Sequence, residues 1–126
     1  TTNAVGFRTD GALGTVRNCI IWGNYVKGVG MGDVETRSTV TYTCSSNDEL
    51  TKGAYAENHN LSADPKFRNM TKGDYRLGAG SPCKGVGLML DWMAGGVDLD
   101  GKPRVQGKKP CLGCYEARSG FAIMLR

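Results

Sequence analysis

The sequence predicts an all-β fold, because it combines strand-like segments with many turns and lacks helical patterns. Residues 15–22 and 38–44 are rich in β-branched and aromatic types, which fit the pleated surface of a sheet. In the second segment Val40, Tyr42 and Cys44 alternate with threonines, the period of two expected when one face of a strand is buried. No window of about eleven residues, free of glycine and proline, has apolar residues at helical spacing. A single short helical candidate lies at residues 88–93.

Length and composition predict one domain of ordinary globular type. With 126 residues, 40% of them hydrophobic and 22% charged, the chain can bury a modest core and is too apolar for a disordered segment. No apolar run approaches the ~18 residues of a membrane-spanning helix. The net charge of +4 is spread along the chain rather than gathered into the basic stripe typical of nucleic-acid-binding proteins. The chain begins Thr1-Thr2 without a signal-like segment, so we expect that a leader was removed or that this is the end of a longer protein.

Five cysteines limit the metal and redox chemistry that the chain can carry. Because their number is odd, at most two disulfides can form within the chain. Cys111 and Cys114 form a CxxC pair, but there is no second pair and His59 is the single histidine, which disfavours a zinc site. Pro110 and Gly113 favour a turn at this pair over the helix start of a redox motif. We therefore expect structural disulfides or buried thiols.

The spacing of Cys19 and Cys44 suggests stacked strands. The two cysteines lie on the two predicted strands, 25 residues apart, an interval of the size that one coil of a β-solenoid takes. In such a coil each strand pairs in parallel with the strand one coil later. Cys19 would then lie over Cys44, as a buried thiol ladder or as a disulfide. Two coils are a weak repeat signal, since about three are normally needed for stability.

Four motifs in the second half of the chain follow one another in a distinctive order. They are Asn-Leu-Ser-Ala-Asp-Pro-Lys-Phe at 60–67, Gly-Asp-Tyr-Arg-Leu-Gly-Ala-Gly-Ser-Pro-Cys at 73–83, Asp-Leu-Asp-Gly-Lys-Pro-Arg at 98–104 and Gly-Cys-Tyr-Glu at 113–116. In order and spacing this region resembles the C-terminal region of secreted bacterial right-handed parallel β-helix repeat proteins of the pectate-lyase-like solenoid superfamily. Residues 18–24 and 40–44 resemble the last coils of these solenoids, so the resemblance covers about 100 residues. The resemblance implies the end of a right-handed parallel β-helix with an irregular C-terminal cap. Residues 1–59 would form the last β-helix coils and residues 60–126 the closing segment of the same domain.

The motif residues fit structural roles in such a cap, which would cover the unpaired backbone and apolar interior of the last coil. Arg104 and Glu116 are expected to form a salt bridge, worth about 0–1 kcal/mol if exposed. Turns are expected at three pairs: Asp64-Pro65, Ser81-Pro82 and Asp100-Gly101. Four side chains are expected to be buried against the last coil: Phe67, Tyr75, Leu77 and Tyr115. Gly85 and Cys111 stand where the family usually carries acidic residues, so any role of those carboxylates does not transfer.

No residue pattern contains the complete set of side chains that a catalytic or metal site requires. Asp98 and Asp100 are weak calcium candidates, since Asp-x-Asp-Gly places oxygens near a sharp turn, but Lys109 stands where a calcium loop needs a glutamate. Glycoside hydrolysis requires paired carboxylates, and no predicted strand places Asp91, Asp98 and Asp100 on one ladder. His59 lacks an identifiable nucleophile or orienting acid. We therefore predict no catalytic or cofactor-binding residue and no cofactor.

These patterns together predict the non-catalytic, structural end of a secreted or cell-surface bacterial β-solenoid protein, with adhesion or carbohydrate contact as its outward role. Two alternatives stay open, because this fold hosts many functions. The chain could be the C-terminal part of a polysaccharide lyase or glycoside hydrolase whose active site lies in upstream coils. It could also be a self-assembling subunit that stacks through an open β-edge. The expected partners are upstream coils or another copy of the chain, and polysaccharide; nucleic acid and a membrane span are not expected.

Overall fold

The chain divides into two compact units, Thr1–Pro65 and Lys66–Arg126. The structure is a computed structural model that describes residues 7–8, 14–26, 30–31, 34–35, 39–104 and 109–117. Residues 58–61 hydrogen-bond to residues 42–45 and belong to the first of these units.

Eight short strands lie in the described parts of the first unit, followed by two 3-10 helices. The strands are β1 (Phe7–Arg8), β2 (Thr15–Arg17), β3 (Ile20–Ile21), β4 (Tyr25–Val26), β5 (Gly30–Met31), β6 (Val34–Glu35), β7 (Thr39–Thr41) and β8 (Cys44–Ser45). The helices are η1 (Asp48–Thr51) and η2 (Gly53–Tyr55).

Strands β1, β2 and β3 each pair in parallel with a strand that follows later in the chain. Strand β1 pairs with β6, β2 with β7 and β3 with β8. Val16 lies opposite Val40 and Ile20 opposite Cys44, so the same interval of 24 residues separates the partners in the last two pairs. Between the two sets of strands, β4 and β5 form a short antiparallel hairpin. Two successive passes of the chain therefore follow the same path, strand for strand.

Residues 58–61 add a third pass alongside β7 and β8. Leu61 forms a parallel bridge with Cys44. The Ser45 N–H donates to the Leu61 carbonyl at 3.0 Å, and the Leu61 N–H donates to the Thr43 carbonyl at 3.0 Å. The Tyr42 N–H donates to the Asn58 carbonyl, also at 3.0 Å. Fewer residues separate Cys44 from Leu61 than the 24 that separate Ile20 from Cys44, so the third pass is shorter than the second.

A left-handed residue turns the chain at the same point in all three passes. Asn18, Tyr42 and His59 have φ values of 58°, 47° and 61°, a region that side chains other than Asn, Asp and Gly rarely adopt. The rings of Tyr42 and His59 stack at a centroid distance of 4.6 Å with 15° between their planes. These residues correct the prediction of continuous strands at 15–22 and 38–44, because each segment is broken at its left-handed residue; Ser38 lies outside the described residues.

The left-handed turn at Tyr42 also changes which side chains face inward. Val40 and Cys44 are fully buried, as the alternation predicts, but Thr43 and Ser45 are buried too and Tyr42 is only half-buried. The Thr43 hydroxyl donates to the Thr41 carbonyl at 2.9 Å, so its burial leaves no hydroxyl without a partner. Strict alternation holds only up to the turn.

A small apolar core lies beneath strands β2 and β7. Val16, Val40 and Leu50 are its buried members, and three partly buried side chains pack against them: Cys19, Ile21 and Tyr55. Val40 is fully buried, so its side chain contributes about 1.5–3 kcal/mol through the hydrophobic effect. Helix η1 supplies Leu50 to this core, which fixes the position of the segment that leads into the third pass.

The predicted stacking of Cys19 on Cys44 is wrong by one residue. Cys44 lies opposite Ile20, and its N–H donates to the Cys19 carbonyl at 2.9 Å. The Cys19 thiol donates to the Arg17 carbonyl and the Cys44 thiol to the Ala63 carbonyl, each at 3.2 Å. The two thiols therefore have different partners, and no disulfide links any of the five cysteines, all of which lie among the described residues.

In its described parts, the second unit contains short antiparallel strands and isolated turns. Strands β9 (Phe67–Asn69) and β10 (Asp74–Leu77) form a hairpin. Helix η3 (Met70–Lys72) connects them, and η4 (Asp91–Met93) falls within the helical candidate at 88–93. Gly73 ends η3 with a φ of 78°, where a side chain would strain the backbone.

The apolar motif residues of this unit differ in burial. Leu77 is buried, whereas Phe67 and Tyr115 are half-buried. Tyr75 is 47% exposed, which corrects the prediction that it is buried. Strict alternation would place Tyr75 on the same face as Leu77, but the pairing of β10 with β9 shifts register between Asp74 and Leu77. The Tyr75 ring meets the Phe67 ring edge to face at 5.2 Å. The described part of the chain contains no helix long and apolar enough to cross a membrane.

Asn60 offers a direct test of how the three passes are held together. Its amide oxygen accepts from the Thr43 N–H, and its amide nitrogen donates to the carbonyls of Val40 and Leu50, each at 3.0 Å. We expect Asn60→Asp to lower the free energy of unfolding by about 3 kcal/mol, because the new carboxylate cannot donate to either carbonyl. Asn58 makes one such bond, to Val40 at 3.1 Å.

Urea denaturation followed by circular dichroism measures this effect. The matched variant Asn58→Asp should cost less than half as much as Asn60→Asp. Equal losses in the two variants would show that Asn60 does not hold the passes together.

Candidate functional site

The most connected polar residues of the second unit surround a hairpin that runs from Val97 to Pro103. These two residues form an antiparallel bridge. The Asp98 N–H donates to the Lys102 carbonyl at 2.8 Å, and the Gly101 N–H donates to the Asp98 carbonyl at 3.0 Å. Gly101 has a φ of 81°, which explains a glycine at this position. The tight turn predicted at Asp100-Gly101 is present.

Asp98 is buried at the base of this hairpin and organises it. One carboxylate oxygen accepts from the N–H groups of Asp100 and Lys102, each at 2.8 Å. The other accepts from the Glu116 N–H at 2.7 Å. Burial alone raises the pKa of Asp98, but the hydrogen bonds from Glu116, Lys102 and Asp100 outweigh it, so the pKa lies below its ordinary value. The carboxylate thus ties residue 116 to the hairpin.

Arg104 and Glu116 form the ion pair that the sequence motifs indicated, at 2.9 Å between guanidinium nitrogen and carboxylate oxygen. The side chains are only 12% and 3% exposed, so the pair is buried rather than exposed. The same guanidinium nitrogen donates to the Gly113 carbonyl at 3.1 Å, and the carboxylate also accepts from the Cys111 N–H at 2.9 Å. A buried pair stabilises geometry more than it adds net free energy, but removing one partner is costly.

Arg76 connects strand β10 to the hairpin. Its guanidinium donates two hydrogen bonds to the Asp100 carboxylate, at 2.8 and 2.7 Å, and one to Asp74 at 3.1 Å. It also lies over the Tyr115 ring, 4.8 Å from the centroid, within the range of a cation–π contact. The Arg76 hydrogen bonds are the main reason that the pKa of Asp100 is lowered, with smaller effects from Lys102 and Arg68.

These contacts engage the oxygens of both calcium candidates. The oxygens of Asp98 accept from three backbone N–H groups and those of Asp100 accept from Arg76. Calcium needs six to eight oxygen ligands. Among the described residues, no group of three His, Cys, Asp or Glu side chains lies close enough to hold a metal ion.

The carboxylates weighed for glycoside hydrolysis are also not arranged as a pair. Asp91 is exposed on η4, whereas Asp98 and Asp100 are engaged as above. His59 belongs to the first unit and stacks on Tyr42.

Of the turns predicted at Ser81-Pro82 and Asp64-Pro65, the structure has the first, over residues 82–85, but no turn at residues 64–65. The Ser81 hydroxyl oxygen accepts from the Cys83 N–H at 3.2 Å, the local hydrogen bond expected of a serine at a turn start. Pro82 is half-buried beside it, and in the first unit Pro65 is fully buried while Asp64 is exposed.

The CxxC pair has no arrangement for redox chemistry. Cys111 is buried and Cys114 is exposed. Burial raises the pKa of the Cys111 thiol, which lowers the thiolate fraction on which reactivity depends. Gly113 between them has a φ of 89°, consistent with the turn predicted here.

A cavity of about 190 Å³ opens beside this network, and we call it the basic pocket. Four cationic residues line it together with three others: Arg68, Arg76, Lys84 and Lys102, then Leu77, Glu116 and Ala117. Sequence analysis missed this site because the four cations come from β9, β10, the segment after Pro82 and the hairpin, and no spacing rule connects them. Positive charge gathered around a concave space is suited to binding an anion.

Comparison of the chain with protein-family models, with curated proteins and with solved structures found no match.

Acid denaturation tests the role of Asp98. Because the pKa of Asp98 is lowered on folding, its contribution is fully present above its unfolded value, near 3.8, and is lost as the pH falls through the lower folded value. We expect Asp98→Asn to cost about 3 kcal/mol at neutral pH, since one amide N–H₂ must then face a backbone N–H donor. The variant should also lose less stability than the wild type between pH 4 and pH 2.

The control is Asp91→Asn, which changes an exposed acid of the same unit. It should leave the free energy of unfolding at neutral pH nearly unchanged. An acid profile of Asp98→Asn that parallels the wild type would contradict this role.

A double-mutant cycle tests the buried ion pair. Arg104→Met should cost about 3–5 kcal/mol, because it leaves the Glu116 charge buried without a cation. Arg104→Met combined with Glu116→Gln should cost clearly less than the sum of the single changes. Arg76→Met is the comparison, since the Arg76 and Asp100 side chains are 38% and 22% exposed; it should cost about 1 kcal/mol or less. Additive losses at Arg104 and Glu116, measured by urea denaturation, would show that the pair is not coupled.

Proposed function

We propose that this chain is the closing end of a right-handed parallel β-solenoid, secreted or displayed at a bacterial cell surface. Its role is structural: the first unit supplies the last coils and residues 66–126 terminate the stack. The observation that carries the proposal is the repeated path of the first unit, in which β1, β2 and β3 pair in parallel with β6, β7 and β8. Carbohydrate contact and adhesion are roles that such a surface fold can host.

A change in strand pairing marks the end of the proposed stack. The parallel bridge between Cys44 and Leu61 belongs to the third pass. Beyond Pro65, the strand pairings of the described residues are antiparallel, in the β9–β10 hairpin and between Val97 and Pro103. Antiparallel hairpins close on themselves within a short length of chain, so they are suited to ending a parallel stack.

At the β2 edge of the first unit, the proposed partner is an upstream coil or another copy of the chain. In the described residues β2 pairs with β7 and with no second strand. The Thr39 N–H donates to the Gly14 carbonyl at 3.0 Å. The C=O and N–H groups of one peptide bond point to opposite sides of a strand. The Gly14 carbonyl faces β7, so the Thr15 N–H of the same peptide bond faces away from β7. An edge with unpaired N–H groups recruits further strands.

One open edge and one closed end make a specific prediction about assembly. Such a chain can pair edge to edge into a dimer but cannot extend further, because a filament requires two open ends. We expect sedimentation velocity, with reducing agent present, to give a monomer at low concentration and at most a dimer at high concentration. Long regular assemblies would contradict the closing role and favour a self-assembling subunit.

Two proline variants separate edge pairing from misfolding. Thr15→Pro removes an outward N–H and should abolish the dimer while keeping the far-ultraviolet spectrum. Thr39→Pro removes the N–H that donates to the Gly14 carbonyl within the unit. This variant should instead lower the free energy of unfolding by about 3 kcal/mol. Association that persists in a folded Thr15→Pro chain would show that the β2 edge is not the contact.

A further inference from the structure

We propose that the basic pocket binds a small tetrahedral oxyanion, phosphate or sulfate, either as the free ion or as the terminal group of a monoester. The site lies wholly within the second unit and does not depend on the closing role of that unit. Four cationic side chains reach its rim from four separate segments of the chain, so positive charge faces the space from several sides.

The acidic side chains around the pocket leave part of this positive charge uncompensated. Asp74 and Asp100 are both occupied by Arg76, and Glu116 is occupied by Arg104 and the Cys111 N–H. Asp98 is buried and faces three backbone N–H groups. Because Arg76 offsets only one of its two aspartates, the five cations, counting Arg104, exceed the four carboxylates by a single positive charge.

Arg76 is held in place to contribute directional donors. A guanidinium has five N–H groups, and three of those of Arg76 point to Asp74 and Asp100. Two N–H groups remain for a ligand, and the ion pairs with both aspartates, together with the Tyr115 ring, fix their direction. The planar fork of arginine matches the spacing of phosphate and sulfate oxygens.

The size of the pocket limits the ligand. A volume of about 190 Å³ is smaller than the ~300–1,000 Å³ typical of sites for drug-sized ligands. An ion or the end group of a monoester fits such a space, with its several oxygens shared among the lysines and Arg76. Lys84 and Lys102 are only partly exposed, so they lose less freedom on binding than fully solvated lysines do.

Nuclear magnetic resonance titration of the complete chain with inorganic phosphate tests the proposal. Ionic strength is held constant with sodium chloride, so that screening does not change during the titration. We expect saturating shifts of the backbone amides at Arg68, Lys84 and Lys102, whereas sodium chloride alone gives none. Linear shifts without saturation, or shifts spread over all basic residues, would overturn the proposal.

Charge-matched variants make the test specific. Lys84→Gln and Lys102→Gln should each weaken phosphate binding about tenfold, because each removes a charge-assisted hydrogen bond. Lys72→Gln, at an exposed site on η3, removes the same charge outside the pocket and should leave the affinity unchanged. Equal weakening by all three variants would mean nonspecific attraction. Because Lys84 and Lys102 come from different segments, a folding defect in one variant leaves the other as the test.

The two sources of the anion are distinguished by a second ligand. A sugar phosphate monoester that shifts the same amides and binds at least as tightly as inorganic phosphate would identify a monoester end group. Binding of inorganic phosphate alone would identify the free ion. If neither binds saturably, the proposal is wrong, and the closing role remains testable by its own assembly measurements.

Discussion

Parallel backbone pairing between successive passes of the chain is the constraint on which the first unit depends. Each pass places only two or three residues in each strand, so no strand could persist alone. The left-handed residues Asn18, Tyr42 and His59 keep the passes in step, because each turns the chain at the same point. The Asn60 amide then connects the third pass to Val40, Thr43 and Leu50. The core of Val16, Val40 and Leu50 is small, and its members align only when this pairing is in register.

The second unit depends on buried carboxylates instead of repeated pairing. Asp98 and Glu116 each accept several hydrogen bonds, and together they join the hairpin, Cys111 and Arg104. Irregular segments leave many backbone N–H groups without strand partners, and these groups must be satisfied when they are buried. A carboxylate can accept three or four such bonds, so two of them suffice to organise a short irregular unit. Asp100 of the same hairpin binds Arg76, which lines the basic pocket.

Much of the local structure could be predicted from the sequence, but its details depended on distant contacts. The strand-forming residues at 15–22 and 38–44 were identifiable from their composition, yet the breaks at Asn18 and Tyr42 were not. A tyrosine in the left-handed region is unfavourable by local rules, and here it stacks on His59 from the next pass. Matching Cys19 to Cys44 assumed that identical residues stack, whereas hydrogen bonding places Ile20 opposite Cys44.

Sequence motifs indicated the pair of Arg104 and Glu116 but not its surroundings. Its burial follows from Cys111 and Gly113, which contact the same two side chains. Asp98 and Asp100 had the residue types of a calcium loop, and only the three-dimensional contacts show that one binds backbone N–H groups and the other Arg76. The basic pocket had no sequence signal, since its four cations lie on separate segments.

The central claim is the parallel register of the first unit, and scalar couplings across hydrogen bonds measure it most directly. In isotope-labelled chain, the account predicts couplings from the Cys44 amide nitrogen to the Cys19 carbonyl and from the Ser45 amide nitrogen to the Leu61 carbonyl. Both couplings together would establish three passes in the register described. Their absence, with fast exchange of the Cys44 and Ser45 amides in a folded chain, would contradict the account.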